Sequence, residues 1–324
     1  MNENDLIHHL KRTYRLKVDR IIPFKTVTKV MVGDQNYILK RVKSKRVIHN
    51  LNFLASQKFT HVILPLLTVD GKLTTDFDGQ SYYLLPFYSN IEYPHDKRLL
   101  DYIDLLVKLH QKTRIIRPFD KEQFNRIYEK QNRELTDRFH ILDAFLAECE
   151  TKPNKTIFMW YYLSQYPKII GIKNLLSEIQ KKIDEELPRI DQFNFSLIHN
   201  RPSLDHFIVT NEKNYLINFE YSIISLTIYD YIQLFIEYAD YPIDWYAIIE
   251  QEAMRPFEFY LFVFHIVYTI VLNFDVTTMK NSSDYIAINH FVYSYGVIER
   301  LIQLYQKWNS VHQSITNQEV DEAD

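Results

Sequence analysis

Apolar and polar residues alternate along the N-terminal part of the chain, as they do in half-buried β-strands. The alternation over Lys25–Val32 and Tyr37–Val42, with the turn Gly33-Asp34-Gln35-Asn36 between them, predicts a β-hairpin. Asp-Gly turns separate three further predicted strands, Val62–Val69, Leu73–Phe77 and Ser81–Phe87. One helix interrupts this series, because apolar residues between Ser44 and Gln57 recur at helical spacing.

After residues 88–90 the period of the apolar positions changes to that of a helix. A helix is expected from Asp96, which is placed to cap it, through His110. Pro256 should divide the third of the later helical segments into two. These later segments are Lys121–Glu148, Ile172–Leu187, Trp245–Asn273 and Ser283–Trp308.

The change of period predicts an α+β protein with two lobes. Residues 1–88 should form a small antiparallel β lobe with one helix, and residues 89–313 a large helical lobe. Within the second lobe, residues 195–219 read as an island of strand and hairpin. Residues 314–324 are polar and acidic and are expected to be a disordered tail.

Composition excludes several classes of protein and of site. The net charge of −3, from 38 basic and 41 acidic residues, argues against nucleic acid as a partner. With only 5 glycines, a glycine-rich phosphate loop is disfavoured. The single cysteine, Cys149, excludes an internal disulfide, and the scattered histidines show no metal-ligand spacing.

No segment predicts insertion into a membrane. Residues 1–10 hold no apolar stretch of signal-peptide length. The longest apolar run, Phe259–Leu272, is shorter than the roughly 20 residues that span a bilayer, and it is interrupted by His265 and Thr269. We expect this run to be a buried helix and the protein to be cytoplasmic.

One stretch of sequence carries a family resemblance. Residues 197–208 read LIHNRPSLDHFI, and residues 215–220 (YLINFE) and 228–231 (IYDY) follow. They resemble the aminoglycoside-phosphotransferase pattern H-G-D-x-x-x-x-N, then I-D-F/W-E, then Y-D-L, in the same order. Tyr37-Ile38-Leu39-Lys40 looks like the strand with the ATP-clamping lysine, and Leu109-His110 like the end of the first long helix of the large lobe.

The resemblance implies a two-lobed kinase-like fold. Within that group, the Arg-Pro-Ser-x-x-His-Phe run with Ile-Asn-Phe-Glu looks most like the YutH branch of the CotS-like spore-coat proteins. It implies a coat-associated role only if the organism forms spores.

The positions that catalyse phosphoryl transfer in the family carry other residues in this sequence. In active members an Asp accepts the proton of the attacking hydroxyl, and a later Asn and Asp hold magnesium. Here those three positions are Arg201, His206 and Asn218. A guanidinium cannot accept a proton at neutral pH, and magnesium prefers oxygen ligands. We therefore expect no catalytic residue, no metal site and no required cofactor.

Lys40, Asn218 and Glu220 could form a vestigial nucleotide site. The helix partner of the family lysine is missing, since Arg41–Lys58 contains no acidic residue. Lys40 could equally be a surface lysine on an alternating strand. Glu220 could hold a metal in an altered way.

Structural roles are favoured for the remaining motif residues. His199 is expected to be a hydrogen-bonded core histidine and Asp230 a helix cap or loop anchor. Asp205 is a displaced candidate base. Arg201 is expected to plug the former site by pairing with Glu220 or Asp205, because a buried guanidinium needs a carboxylate.

Three functions remain open. The first is a pseudokinase that serves as a scaffold or ligand sensor, with an unknown protein or small ligand as its partner. The second is an active phosphotransferase on a small hydroxylated substrate, which would bind ATP and magnesium weakly. The third is a different transfer chemistry on the same fold.

Overall fold

The computed structural model describes residues 3–25 and 27–321 of the chain. Their backbone forms two compact units: Met1–Ile115 with Phe195–Thr227, and Ile116–Asn194 with Ile228–Asp324. The first unit thus contains both the predicted β lobe and the predicted island, while the boundary at residue 88 stays a prediction. In the predicted tail the backbone is helical to Asp321, and residues 322–324 lie outside the described residues.

A five-stranded antiparallel sheet, with the order β1-β2-β3-β5-β4, is the framework of the first unit. Its strands are β1 (Arg20–Phe24), β2 (Val27–Val32), β3 (Gln35–Arg41), β4 (Thr75–Phe77) and β5 (Gln80–Pro86). Lys40 on β3 lies opposite Tyr83 on β5. The antiparallel sheet predicted from the period-two alternation is confirmed.

One helix precedes the first three strands along the chain, and another follows them. Helix α1 (Glu3–Tyr14) buries Leu6, Leu10 and Tyr14 against the sheet. It was not predicted, although these residues recur at the i, i+4, i+8 spacing of a helix face. Helix α2 (Lys45–Ser56) is the predicted one, and the Ser44 hydroxyl caps it by accepting from the backbone N–H of Arg46.

The prediction of a strand over Val62–Val69 is wrong. Val62 forms a single parallel bridge with Leu216, and Leu66 donates one backbone hydrogen bond to Leu84. Pro65, which lies between Val62 and Leu66, has no backbone N–H and therefore cannot donate a hydrogen bond to a β-ladder. Strand β1 lies outside the individually predicted strands; it contains Pro23, which an edge strand tolerates.

Apart from the elements above and the helices of the second unit, the chain forms one long helix and a set of short strands. Helix α3 (His95–Lys112) is confirmed, but Pro94, not Asp96, is the N-cap residue, and Asp96 lies in the first turn. The short strands are β6 (Ile115–Pro118), β7 (Gln192–Ile198), β8 (Phe207–Val209), β9 (Asn214–Leu216) and β10 (Ile223–Ser225). Strands β8 and β9 form the predicted hairpin, and β10 pairs antiparallel with β7 in a sheet ordered β10-β7-β6.

The second unit is helical. Its helices are α4 (Lys121–Thr151), α5 (Ile157–Glu186), α6 (Ile228–Glu237), α7 (Trp245–Glu252), α8 (Pro256–Asn273), α9 (Val276–Asn281) and α10 (Asp284–Asp321). Pro256 occupies the first turn of α8, where its missing N–H costs nothing, so the predicted break there is confirmed.

Helix α8 is the core of the second unit. It contacts α4, α5, α6 and α10, and residues such as Phe259, Phe262 and Phe264 are fully buried. In the described part of the chain, α8 is the one helix that is long and apolar enough to cross a membrane. However, 61% of its residues are buried within the protein. The prediction of a buried helix is confirmed.

We expect His265 on α8 to make the stability of the protein depend on pH. Its ring contacts Tyr229, Phe264 and Tyr268, and burial lowers its pKa from 6.5 to about 4. The unfolded chain therefore binds the proton more readily, and stability falls as the pH drops from about 6.5 towards 4. The full shift corresponds to roughly 3 kcal/mol.

Urea unfolding of the parent and of His265→Phe at pH 7.5 and pH 5 measures this contribution. The variant should lose less stability between the two pH values than the parent. Equal losses would contradict the assignment.

Candidate functional site

A cavity of about 700 Å³ lies within the first unit. The turn after β1, strand β3, the end of β5 and the loops that flank β8 and β9 surround it. Apolar side chains form part of its wall, among them Val27, Ile38, Ile63, Leu85 and Ile217. Three motif positions that depart from the family pattern, Arg201, His206 and Asn218, also line it.

The loop after β7 places Asn200 and His199 through contacts with the segment that follows β9. Asn200 stands where the family pattern has glycine, and its φ of 63° lies in the left-handed region. Asparagine tolerates that region better than most residues, and the Asn200 amide donates to the carbonyl of Tyr221 at 3.0 Å. Next to it, His199 is fully buried, and its Nε2 lies 2.8 Å from the carbonyl oxygen of Ile217. These contacts give both residues a structural role.

Arg201 is not the buried plug that the sequence predicts. Its side chain is exposed, and the guanidinium lies 3.9 Å from the centre of the Tyr221 ring. Glu220, one of the two carboxylates expected to pair with it, pairs with Lys40 instead. Stacking on an aromatic ring at the surface leaves the guanidinium hydrated, so no ion pair is required.

Lys40 contacts Asn218 and Glu220, the two residues predicted to form a vestigial nucleotide site with it. Its Nζ lies 2.7 Å from Glu220 Oε1 and donates to Asn218 Oδ1 at 2.5 Å. The side chains of Lys40 and Glu220 are only 16% and 9% exposed. Burial, with the neighbouring Glu220 carboxylate second, raises the pKa of Tyr83. Glu220, 180 positions along the chain, therefore replaces the missing helix glutamate as the partner of Lys40.

Asn50 on α2 holds the segment from Phe219 to Ser222, and the sequence analysis did not identify it. Its side-chain amide donates to the carbonyls of Phe219 and Ser222, both at 2.9 Å. Asn50 lies on the buried face of α2, between Val47 and Leu54. A polar residue on an otherwise apolar helix face is the signal that could have identified it.

His206 lies at the cavity wall. It ends a short 3₁₀ turn (Leu204–His206), and its Nδ1 donates to the carbonyl of Arg201 at 3.0 Å. Its ring stacks on that of His199, with the ring centres 5.1 Å apart. Burial lowers its pKa, and the positive charge of Lys40 acts in the same direction against the opposing effect of the Arg201 carbonyl.

These side chains do not fit a magnesium ion. Magnesium needs several oxygen ligands in near-octahedral geometry. The family positions offer an imidazole from His206 and a neutral amide from Asn218, whose oxygen already accepts from the Lys40 ammonium. The Glu220 carboxylate is paired with the same ammonium. Within residues 3–25 and 27–321, no three His, Cys, Asp or Glu side chains are arranged to hold a metal.

Asp205 and Asp230, the two remaining motif residues, differ in burial and in the unit to which they belong. Asp205 lines the cavity but is exposed, and its backbone N–H donates to the Ser203 hydroxyl. Asp230 belongs to the second unit, where it is fully buried in the first turn of α6.

Comparison with known proteins identifies the fold. No family model and no curated protein matches the chain. A solved aminoglycoside phosphotransferase from Alicyclobacillus acidocaldarius is similar over 91% of this chain and 94% of its own, with a TM-score of 0.64 and 14% identity. A spectinomycin phosphotransferase, solved with ADP and spectinomycin, is similar over 94% and 99%, with a TM-score of 0.54 and 14% identity. The chain has the kinase-like aminoglycoside-phosphotransferase fold, as its motifs predict.

The Lys40–Glu220 pair should be worth far more than a surface ion pair. Lys40→Met leaves a buried carboxylate without its cation and should cost about 3 kcal/mol in free energy of unfolding. Removing both charges, in Lys40→Met/Glu220→Gln, should recover most of that loss. Denaturant unfolding of the single and double variants measures the coupling.

Lys173 and Asp143 supply the matched control. Lys173 Nζ lies 2.6 Å from Asp143 Oδ1, but the side chains of Lys173 and Asp143 are 30% and 43% exposed. Lys173→Met should cost less than about 1 kcal/mol. Similar costs at Lys40 and Lys173 would show that the first pair is not buried in solution.

Proposed function

We propose that this protein is a pseudokinase: a kinase-fold protein that binds a ligand in its cavity and transfers no phosphoryl group. It would serve as a ligand sensor or scaffold. The observation that carries the proposal is the contact of the Lys40 ammonium with Asn218 and Glu220. In that position an internal cation takes the oxygens that a catalytic metal would need.

The side chain at the position of the catalytic base supports the same conclusion. Arg201 stays protonated at any physiological pH and cannot take the proton of an attacking hydroxyl. General-base assistance contributes typically about 10²- to 10⁴-fold to such reactions. Loss of the base and loss of the metal site each remove a separate part of the rate enhancement, so residual transfer would be very slow.

The open cavity favours a ligand sensor over a purely structural role. Its volume of about 700 Å³ lies in the range of small-molecule sites. Large side chains have not filled it, and apolar and charged groups both line it. Ligand binding there would bridge β3 and the segment that follows β9, which Lys40 already connects.

The alternative is an active phosphotransferase on a small hydroxylated substrate. One observation favours it: Asp205 and His206 both line the cavity, and a carboxylate and an imidazole are each side chains that can act as a general base. Release of ADP from ATP and magnesium in the presence of hydroxylated acceptors would support this alternative and contradict the pseudokinase proposal.

Location and partner follow from the resemblance and the composition. Similarity to the YutH branch of the CotS-like proteins supports association with a spore coat if the organism sporulates, and a cytoplasmic location otherwise. The partner would be a protein or a small ligand. The near-neutral net charge of −3 supports neither nucleic acid nor a membrane as a partner.

Restoring the family residues should restore metal-dependent binding. The variant Arg201→Asp/His206→Asn/Asn218→Asp supplies two carboxylates and an amide oxygen at the positions that hold the base and the metal in active members. Titration calorimetry with magnesium and ATP should show a gain in affinity over the parent of tenfold or more, which corresponds to about 1.4 kcal/mol.

The matched control is Arg201→Asp alone, which changes the charge without providing the metal ligands. It should not gain magnesium-dependent affinity. If the triple variant also shows no gain, the loss of metal binding does not reside in these three side chains.

A further inference from the structure

We infer that two copies of this chain associate through the solvent-facing sides of helices α5 and α10, with each helix antiparallel to its copy around one two-fold axis. Both helices belong to the second unit. The inference is independent of the proposed function, because no residue of either helix lines the cavity.

Helices α5 and α10 lie side by side and run in the same direction. Near their N-terminal ends, the Asp284 carboxylate accepts from the backbone N–H of Ile157 at 3.2 Å. Further along both helices, the Tyr305 hydroxyl donates to the Glu178 carboxylate at 2.7 Å. The residues of each pair are 127 positions apart, so this offset connects residues at the same level of the two helices.

The solvent-facing sides of these helices are apolar and aromatic. Residues 157–172 include one charged residue, Lys168, and residues 285–298 include no lysine, arginine, aspartate or glutamate. A helix face that meets water normally carries charged residues. Six large side chains are instead 47% to 75% exposed there, namely Ile157, Trp160, Tyr285, Ile286, Val292 and Tyr293. Aromatic residues without charged neighbours are typical of the centre of a protein–protein interface.

Contacts within the described chain do not explain the glycines of these two helices. Three of the five glycines, Gly33, Gly71 and Gly79, adopt a positive φ that favours glycine. Gly171 in α5 and Gly296 in α10 do not, and a Cβ on either one would meet nothing within 4 Å. Glycine destabilises the middle of a helix relative to alanine. Each of the two leaves room for a large side chain that approaches from outside.

On α10 the residues of the solvent-facing side have the spacing that a two-fold axis requires. In an antiparallel pair of identical helices, a residue before the axis faces the residue that follows the axis by the same number of positions. The spacing of this face reads 4-3-4 in both directions, over Tyr285, Asn289, Val292 and Gly296. Such a pair places Tyr285, the most exposed of the large apolar side chains, over Gly296 of the second copy.

The same axis fits α5. Ile157 and Gly171 lie seven positions on either side of Ser164, so Ile157 would cover Gly171 of the second copy. On α10 the midpoint lies between positions 290 and 291. Ser164 precedes position 291 by 127 positions, the same offset as in the two contacts between the helices. One axis therefore provides both glycines with a large side chain.

Charge and size both favour a second copy as the occupant of this face. Around Ser164, Lys168 faces Trp160 of the second copy and not another lysine, so like charges do not meet. The three exposed aromatic side chains alone offer on the order of 300 Å². That area would form the apolar centre of a standard interface, in which each partner buries about 800 Å².

A disulfide across the axis tests the inference. Ser164 would face its own copy, so Ser164→Cys in the full chain should form a covalent dimer in oxidised glutathione, seen by non-reducing gel electrophoresis. Ser177→Cys is the matched control, since Ser177 is also exposed on α5 but lies about 20 Å further along the helix. It should remain a single chain on the gel. The native Cys149 is buried and should not contribute.

Sedimentation equilibrium tests the register. Tyr285→Lys and Gly296→Glu should each raise the dissociation constant of the dimer about 10-fold or more. Mixed in equal amounts, the two variants should associate again, because their heterodimer has one unchanged Tyr285–Gly296 contact and one contact between opposite charges. Ala55→Gln, at an exposed position of α2 in the first unit, should associate like the parent. Thermal unfolding verifies that each variant remains folded.

Four results would overturn the inference. They are a parent that stays monomeric in the high micromolar range, equal cross-linking at positions 164 and 177, a dimer that both single variants leave intact, and a mixture that associates no better than either variant alone.

Discussion

The ammonium of Lys40 lies between the amide oxygen of Asn218 and the carboxylate of Glu220, and the rest of the site is organised around this contact. It links β3 of the five-stranded sheet to the segment that follows β9. Because Lys40 and Glu220 are nearly buried, separating them would leave an uncompensated charge in a poorly solvated place. A single side chain therefore links two segments of the first unit and occupies oxygens of both Asn218 and Glu220.

Buried hydrogen bonds and two asparagines in the left-handed region shape the loops around the site. Asn200 and Asn218 both adopt positive φ, and Asn200 does so at the position where the family pattern has glycine. Buried hydrogen bonds of His199 and Asn50 hold the two loops. None of these contacts needs a catalytic base or a metal. The cavity can therefore keep its shape whether or not the protein transfers a phosphoryl group.

The sequence predicts much of the fold, because local periodicity determines most of it. The β2–β3 hairpin, α2, α3, the β8–β9 hairpin and the break at Pro256 all follow from spacing and turn residues. One error has a local cause as well, because Pro65 prevents the strand predicted over Val62–Val69. The side chains that meet at the site could be predicted only in part. Lys40 and Glu220 are 180 positions apart, and nothing local to either one identifies the other as its partner.

In our proposal the Lys40 ammonium occupies the place of a metal ion. Manganese prefers the same carboxylate, carbonyl and water ligands as magnesium, and its free ion is observed directly by electron paramagnetic resonance. The parent protein should leave the free manganese signal unchanged. The variant Lys40→Met/Asn218→Asp, which frees Glu220 and restores a second carboxylate, should reduce that signal by one ion per chain. If the parent reduced the signal by the same amount, Lys40 would not be excluding the metal and the account would be wrong.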